Sequence, residues 1–143
     1  MIVVSGNHTD AAAQRVAAYI GQRLGVEVIP PYSTAAFFRN DNRLMSAFLF
    51  NGFNGANIDL TAVAEPGGFS RAILREVAQY VFVQLGCTRI TLQTMRKNKA
   101  VQKLAPRLGF KFEAVQQEYF PGGKSPENDA IVFRMKKSEC KWL

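Results

Sequence analysis

The stretch Asn57-Ile58-Asp59-Leu60-Thr61-Ala62-Val63-Ala64, running on into Glu65-Pro66-Gly67-Gly68-Phe69-Ser70-Arg71-Ala72-Ile73-Leu74, decides how this chain is read. Its opening alternates. Ile58, Leu60, Ala62 and Ala64 fall on one face, and Asn57, Asp59, Thr61 and Val63 on the other, which is the period of a β-strand. Glu65 to Gly68 breaks the strand, because proline and glycine leave the extended ladder. From about Phe69 to Leu85, the residues Ile73, Leu74, Val77, Val81 and Leu85 recur at helical spacing, and Gly86 fits the position just past a helix end.

A strand that turns through two glycines into a helix has a chemical use. The first N–H groups of a helix have no partners within it and carry the positive end of its dipole. Gly67 and Gly68 remove side chains, so an anion can come close to the backbone. Ser70 adds a hydroxyl and Arg71 a fixed charge. The loop alone is read first as a tight link between strand and helix, with a pyrophosphate cradle as the alternative.

Outward from this unit the elements alternate. Toward the N-terminus, Ile2 to Ser5 reads as a strand. Asp10 to Leu24 reads as a helix with Val16, Ala17, Ile20 and Leu24 on its apolar side, Thr9 or Asp10 as N-cap and Gly25 as its stop. Pro30-Pro31 bars regular structure. Ala35 to Arg39 and Leu44 to Phe50 are two strands joined by the turn Asn40-Asp41-Asn42, and Asn51 to Gly55 is a further turn. Phe48 and Phe50 share a face, whereas Phe37 and Phe38 point to opposite ones; core packing accounts for most of these rings, and some are available to an apolar substrate wall.

Toward the C-terminus, Arg89 to Met95 alternates as a strand. Lys99 to Leu108 reads as a short helix capped by Asn98 and ended by Gly109. Pro106 within it predicts a kink or a tightening near its end. Phe110 to Phe120 and Ala130 to Met135 are closing strands around a loop from Pro121 to Asp129, and the tail from Lys136 is basic. This order implies a mixed sheet covered by helices.

The chain has 143 residues, the size of one domain, and no linker divides residues 1–143. A hydrophobic content of 48% excludes disorder. No apolar run reaches the roughly 20 residues that span a bilayer. Met1 to Gly6 has no basic region before it and reads as a first strand rather than a signal peptide. With Cys87, Cys140 and His8 as the only soft ligands, no zinc site is expected, nor any other metal. Cys87 reads as core, His8 as surface, and a reducing cytoplasm as the compartment. The net charge of +7 is uneven. Residues 1–70 hold four Lys+Arg against five Asp+Glu, and residues 71–143 hold 14 against six, so the excess lies in the second half. A polyanion, either nucleic acid or a phosphate-rich cofactor, is drawn there.

Glu65 to Leu74 resembles the coenzyme A loop of the GNAT N-acetyltransferase superfamily, Gln/Arg-x-x-Gly-x-Gly/Ala before an apolar helix. Gly68 matches the first glycine, Ser70 the Gly/Ala place, and Glu65 the Gln/Arg place. Asn98-Lys99-Ala100-Val101 to Leu108-Gly109-Phe110 resembles the family's Asn-to-Gly-Phe helix. Leu85-Gly86-Cys87-Thr88-Arg89-Ile90 and Phe110-Lys111-Phe112-Glu113 look like the ribosomal-protein acetyltransferase branch. The likeness covers about residues 57–135.

The resemblance implies an α/β fold with a GNAT-like mixed central sheet, helices on both faces and a splayed parallel strand pair, Asn57–Ala64 and Arg89–Met95. It implies acetyl-CoA as cosubstrate, its pantetheine paired with backbone near Val63 and bonded by Asn98, and its pyrophosphate on the amides of Gly67, Gly68, Phe69, Ser70 and Arg71. It implies direct attack by the amine of an acceptor: a protein, a small molecule or a charged tRNA. No membrane is involved, and a homodimer is compatible with it. Glu65, a carboxylate near phosphate, departs from the pattern. So does Ala105, where many members carry a tyrosine that protonates the leaving thiolate. Asp59, on the polar strand face, is the candidate general base, ahead of Glu65 and Glu118. Two other readings stay open: a GNAT-fold module that binds acyl-CoA or a protein without turnover, and a nucleic-acid-binding protein using Arg96, Lys97, Lys99, Lys103 and Arg107.

Overall fold

The computed structural model describes residues 1–143. Its elements in chain order are β1 (Ile2–Asn7), α1 (Ala11–Leu24), β2 (Ser33–Phe38), β3 (Leu44–Asn51), β4 (Asn57–Ala64), α2 (Arg71–Gln79), β5 (Arg89–Met95), α3 (Lys99–Arg107), β6 (Lys111–Gln116) and β7 (Ala130–Lys136). The strands form one seven-stranded sheet in the order β1-β2-β3-β4-β5-β7-β6. All neighbours are antiparallel except β4 and β5, which are parallel and joined through α2.

The alternation along β4 is explained by burial on both faces. Ile58 and Leu60 join Phe37, Phe48 and Phe50 in a core beneath α2 and α3. Val63 joins Ala36, Ala47 and Leu49 in a second core beneath Ala17 and Ile20 of α1. One helix therefore covers one face of the sheet, and two helices the other. Phe48 and Phe50 do share a face, while Phe53 is exposed in the loop after β3.

Two elements differ from the sequence reading, and a third forms as it anticipates. The helix expected to run to Leu85 is α-helical only to Gln79. From Tyr80 to Gln84 it widens into π-helical turns, with Leu85 N–H bonded to the Tyr80 carbonyl at 2.9 Å. There the Tyr80 hydroxyl lies 3.1 Å from Ser33 Oγ, and its ring packs on Phe50. The strand expected from Phe110 to Phe120 ends at Gln116. The buried Asp129 accepts the Glu118 N–H at 2.9 Å, Glu118 takes a left-handed φ of 54°, and the chain leaves the sheet. Finally, α3 tightens as Pro106 predicts, with Leu108 N–H reaching Ala105 O and Gly109 N–H reaching Pro106 O, each three residues back.

The tail is structured. Glu139 bonds Lys111 at 3.0 Å, Arg134 at 3.3 Å and the Lys136 N–H at 2.9 Å. This brings Trp142 under the end of α3, its indole N–H donating to Leu108 O at 2.8 Å.

Candidate active site

β4 and β5 pair only from Asn57↔Arg89 to Leu60↔Leu92. Beyond that level Thr61–Ala64 and Gln93–Met95 part, as a splayed pair requires. β4 stays bonded to β3 throughout, so only its β5-facing edge is left open.

The ladder phase decides which groups line that edge. Glu65 N–H bonds Met45 O at 2.9 Å in the unbroken β3–β4 register. Hydrogen-bonded pairs recur every second residue, so Val63 and Ala47 form the next one. Val63 thus turns its N–H and C=O toward β3, and its side chain is buried under α1. The backbone groups presented to the gap belong to Ala62 and Ala64. The expectation of pairing near Val63 moves to these two neighbours.

The glycine loop is a turn and a cradle at once. Gly68 N–H closes onto Glu65 O at 2.8 Å, with Pro66 second in the turn and Gly67 third at φ 77°. A Cβ on Gly68 would stand 1.9 Å from the Met45 carbonyl oxygen, so no side chain fits. The Gly68 amide is therefore spent in the turn. The amides of Phe69, Ser70, Arg71 and Ala72 have no partner within the protein. Ser70 Oγ caps α2 by accepting the Ile73 N–H at 3.4 Å, and its own proton stays free. Arg71 is exposed and forms no ion pair. Open helix amides, a hydroxyl and a guanidinium together suit a pyrophosphate.

Glu65 turns away from this cradle. Its carboxylate lies 2.8 Å from Arg23 Nη1, and Tyr19 of α1 approaches it at 3.5 Å. The bond from Glu65 holds the Arg23 guanidinium above its ordinary pKa. The repulsion expected of a carboxylate in this position is thus directed to α1. Asn98 caps α3, its Oδ1 accepting the Val101 N–H at 3.4 Å.

The two faces of the gap differ in chemistry. On the α1 side, Asp59 is the last residue of β4 to point that way before the strands part. Its Oδ1 accepts from Asn57 Nδ2 at 3.0 Å, and Thr91 Oγ1 bonds Asn57 Oδ1 at 2.6 Å. Gln93, two residues beyond Thr91, is the first residue of β5 past the pairing to point the same way. Its Nε2 donates to Gln116 Oε1 at 2.7 Å, and its Oε1 accepts the Tyr119 hydroxyl at 3.1 Å. Asp59 and Tyr119 therefore flank the opening. Sequence reasoning missed Tyr119, because its placement comes from the turn at Glu118 and the distant clamp of Asp129.

On the α2 and α3 side, sixteen residues, all hydrophobic, line a cavity of about 80 Å³. Ala105, which stands where many GNAT members have a tyrosine, is 1% exposed in its wall. His8 is half-buried against Tyr32, away from the gap. Cys87 is buried in the core, and burial pushes its thiol pKa up. Glu118 points its amide, not its carboxylate, at Asp129. No three His, Cys, Asp or Glu side chains come together as a metal site, and no helix is long and apolar enough to cross a membrane.

No protein-family model matches the sequence, and no curated protein does. Solved structures do match. A single-site mutant of spermidine N-acetyltransferase SpeG from Vibrio cholerae superimposes with a TM-score of 0.77 at 14% identity, covering 100% of this chain and 98% of that one. The same enzyme with manganese ions gives 0.70 at 13% identity, over 95% and 93% of the two chains. A dodecameric form in an intermediate state gives 0.70 at 14%, over 95% and 94%. The fold is the GNAT fold, and these neighbours lie outside the ribosomal-protein branch.

Proposed function

We propose that this chain is an acetyl-CoA-dependent N-acetyltransferase working by direct attack of an amine on the thioester. The observation that carries this is the parting of β4 and β5 beyond Leu60 and Leu92, in line with four unpartnered amides at the start of α2. The amides of Phe69 to Ala72, with Ser70 and Arg71, hold the pyrophosphate. Ala62 and Ala64 pair with the pantetheine amides along the open edge, and Asn98 bonds it from α3. Gly67 and Gly68 shape the cradle.

The amine arrives from the α1 side. Asp59 takes its proton through a water, which frees the nitrogen lone pair to form the new bond to the carbonyl carbon. A backbone N–H of the open β4 edge meets the developing oxyanion. As the carbon–sulfur bond breaks, Tyr119 gives its proton to the sulfur. This assigns to Tyr119 the task that buried Ala105 cannot perform, and it favours an enzyme over a silent binding module. The exposed cations Lys97, Lys99, Lys103 and Arg107 near α3 serve the nucleotide end of the cosubstrate rather than RNA.

The structural neighbours act on spermidine, whereas Leu85–Ile90 and Phe110–Glu113 resemble the ribosomal-protein branch. Charge favours the second. Two carboxylates on the α1 side are already in ion pairs: Glu65 with Arg23, and Glu113 with Arg89 at 2.7 Å. A polycation would find few free carboxylates on a protein of net charge +7. We therefore place a protein α-amine ahead of a small polyamine or a charged tRNA as acceptor.

The test is in two steps. Acetyl-CoA should raise the melting temperature by mass action. Thiol release should then appear with a peptide bearing a free N-terminus, and weakly with spermidine. Absence of any melting shift at millimolar acetyl-CoA sinks the assignment; a shift without thiol release from any amine leaves the binding module.

A further inference from the structure

We infer that the acyl site of this protein takes, beside acetyl, a longer chain of three to five carbons, seated in the apolar cavity between α2 and α3. This rests on the coenzyme A reading above.

The cavity opens at the gap. Leu60 and Leu92, the last paired residues of β4 and β5, line it together with Ala62, the first residue of β4 past the pairing on that face. Trp142, held by its bond to Leu108 O, also lines it. Two of its lining residues are small: Ala78 of α2, 4% exposed, and Ala105 of α3, 1% exposed.

Its chemistry chooses the occupant. Every lining residue is hydrophobic. The two amides of a pantetheine arm would lose their hydrogen bonds in such a place, which is costly. They find partners only higher up, along Ala62 and Ala64. The part of an acyl-CoA that gains by entering is the hydrocarbon beyond the thioester. The cavity volume of about 80 Å³ sets the length. An apolar cavity of roughly 150 Å³ takes up a benzene, so half that space suits about three carbons beyond the carbonyl. The same volume excludes much longer chains.

The experiment compares free CoA with acetyl-, butyryl- and octanoyl-CoA, by calorimetric binding and by thiol release with one amine. Butyryl-CoA is expected to bind about tenfold more tightly than acetyl-CoA, the gain from burying two methylenes. Octanoyl-CoA is expected to fall below both. Ala105→Leu should cut the butyryl-to-acetyl ratio by at least tenfold. Ala78→Val provides the same reading from α2, should the first variant misfold. Acetyl-CoA binding with butyryl-CoA tenfold weaker overturns the inference and leaves the N-acetyltransferase reading standing. No binding of any CoA thioester overturns both.

Discussion

The sheet presents two unlike surfaces where β4 and β5 part. On the α1 side two separate hydrogen-bonded groups face the gap, Asp59–Asn57–Thr91 and Tyr119–Gln93–Gln116, with bonds of 2.6–3.1 Å. On the α2 and α3 side the walls are hydrophobic throughout. A proton can move on the first surface and has nowhere to go on the second. An acyl chain gains on the second and not on the first. One gap thus separates the steps of the proposed reaction by solvation alone, with the amine and its proton on the wet side and the hydrocarbon on the dry side.

The change that breaks this division most completely is Gly68→Ala. The new Cβ would meet backbone on two sides, Met45 O at 1.9 Å and Glu65 O at 2.8 Å. Neither neighbour can yield without moving β3 or the turn. We expect a stability loss of about 3 kcal/mol by denaturant titration, together with loss of the acetyl-CoA melting shift. Gly67→Ala is the milder control: it meets open space and suffers only the cost of its positive φ.

Next are the two groups flanking the wet side. Asp59→Asn and Tyr119→Phe each remove a proton carrier and keep the shape of the side chain. Each should lower kcat about 100-fold, while calorimetric affinity for acetyl-CoA stays near wild type. An equal loss in affinity would mean that the residue shapes the site rather than moving protons.

How much of this division the sequence carried depends on the range of each contact. The alternation of Asn57–Ala64 and the helical spacing from Ile73 to Val81 are local and dense; the strand forms as read, and the helix forms as far as Gln79. Gly67 is legible too, because Pro66 and the positive φ belong to one turn. The reason for Gly68 is not legible, since Met45 lies far back in the chain. The shift from Val63 to Ala62 and Ala64 follows from the register of β3 against β4, which no single strand encodes. Tyr119 is hidden for the same reason: Glu118, Asp129 and Gln93 place it from three separate segments. The π-helical turns at Tyr80 leave the apolar spacing of the helix unchanged and so give no signal.

The dry side is closed by the tail, and Glu139 holds the tail. The Lys136 N–H, the Lys111 ammonium and Arg134 together keep its carboxyl at about 2, below its ordinary value of 4.5. A group lowered in this way contributes its stability above the ordinary value and loses it as pH falls toward the folded one. Glu139→Gln should therefore lower the melting temperature near neutral pH, and the difference from wild type should vanish as pH falls from about 4.5 toward about 2. A difference that persists at the lowest pH would mean that Glu139 acts through its shape rather than its charge, and no difference at any pH would assign the tail's hold to Trp142.

The smallest expected effect sharpens the dry side instead of breaking it. Ser46 lies opposite Ala64 on the face of Phe48, fully buried, and its hydroxyl has no partner. A buried hydroxyl without a hydrogen bond has lost its contact with water and gained nothing in return. Phe48, two residues on along that face, packs its ring against Phe69. Ser46→Ala removes the polar atom and leaves a gap smaller than a methyl group. We expect a gain of about 0.5–1 kcal/mol and a melting temperature higher by about 2–4 °C. A loss of similar size would show that the hydroxyl holds a bound water behind the cradle, and that the dry surface is less dry at its upper end than at Trp142.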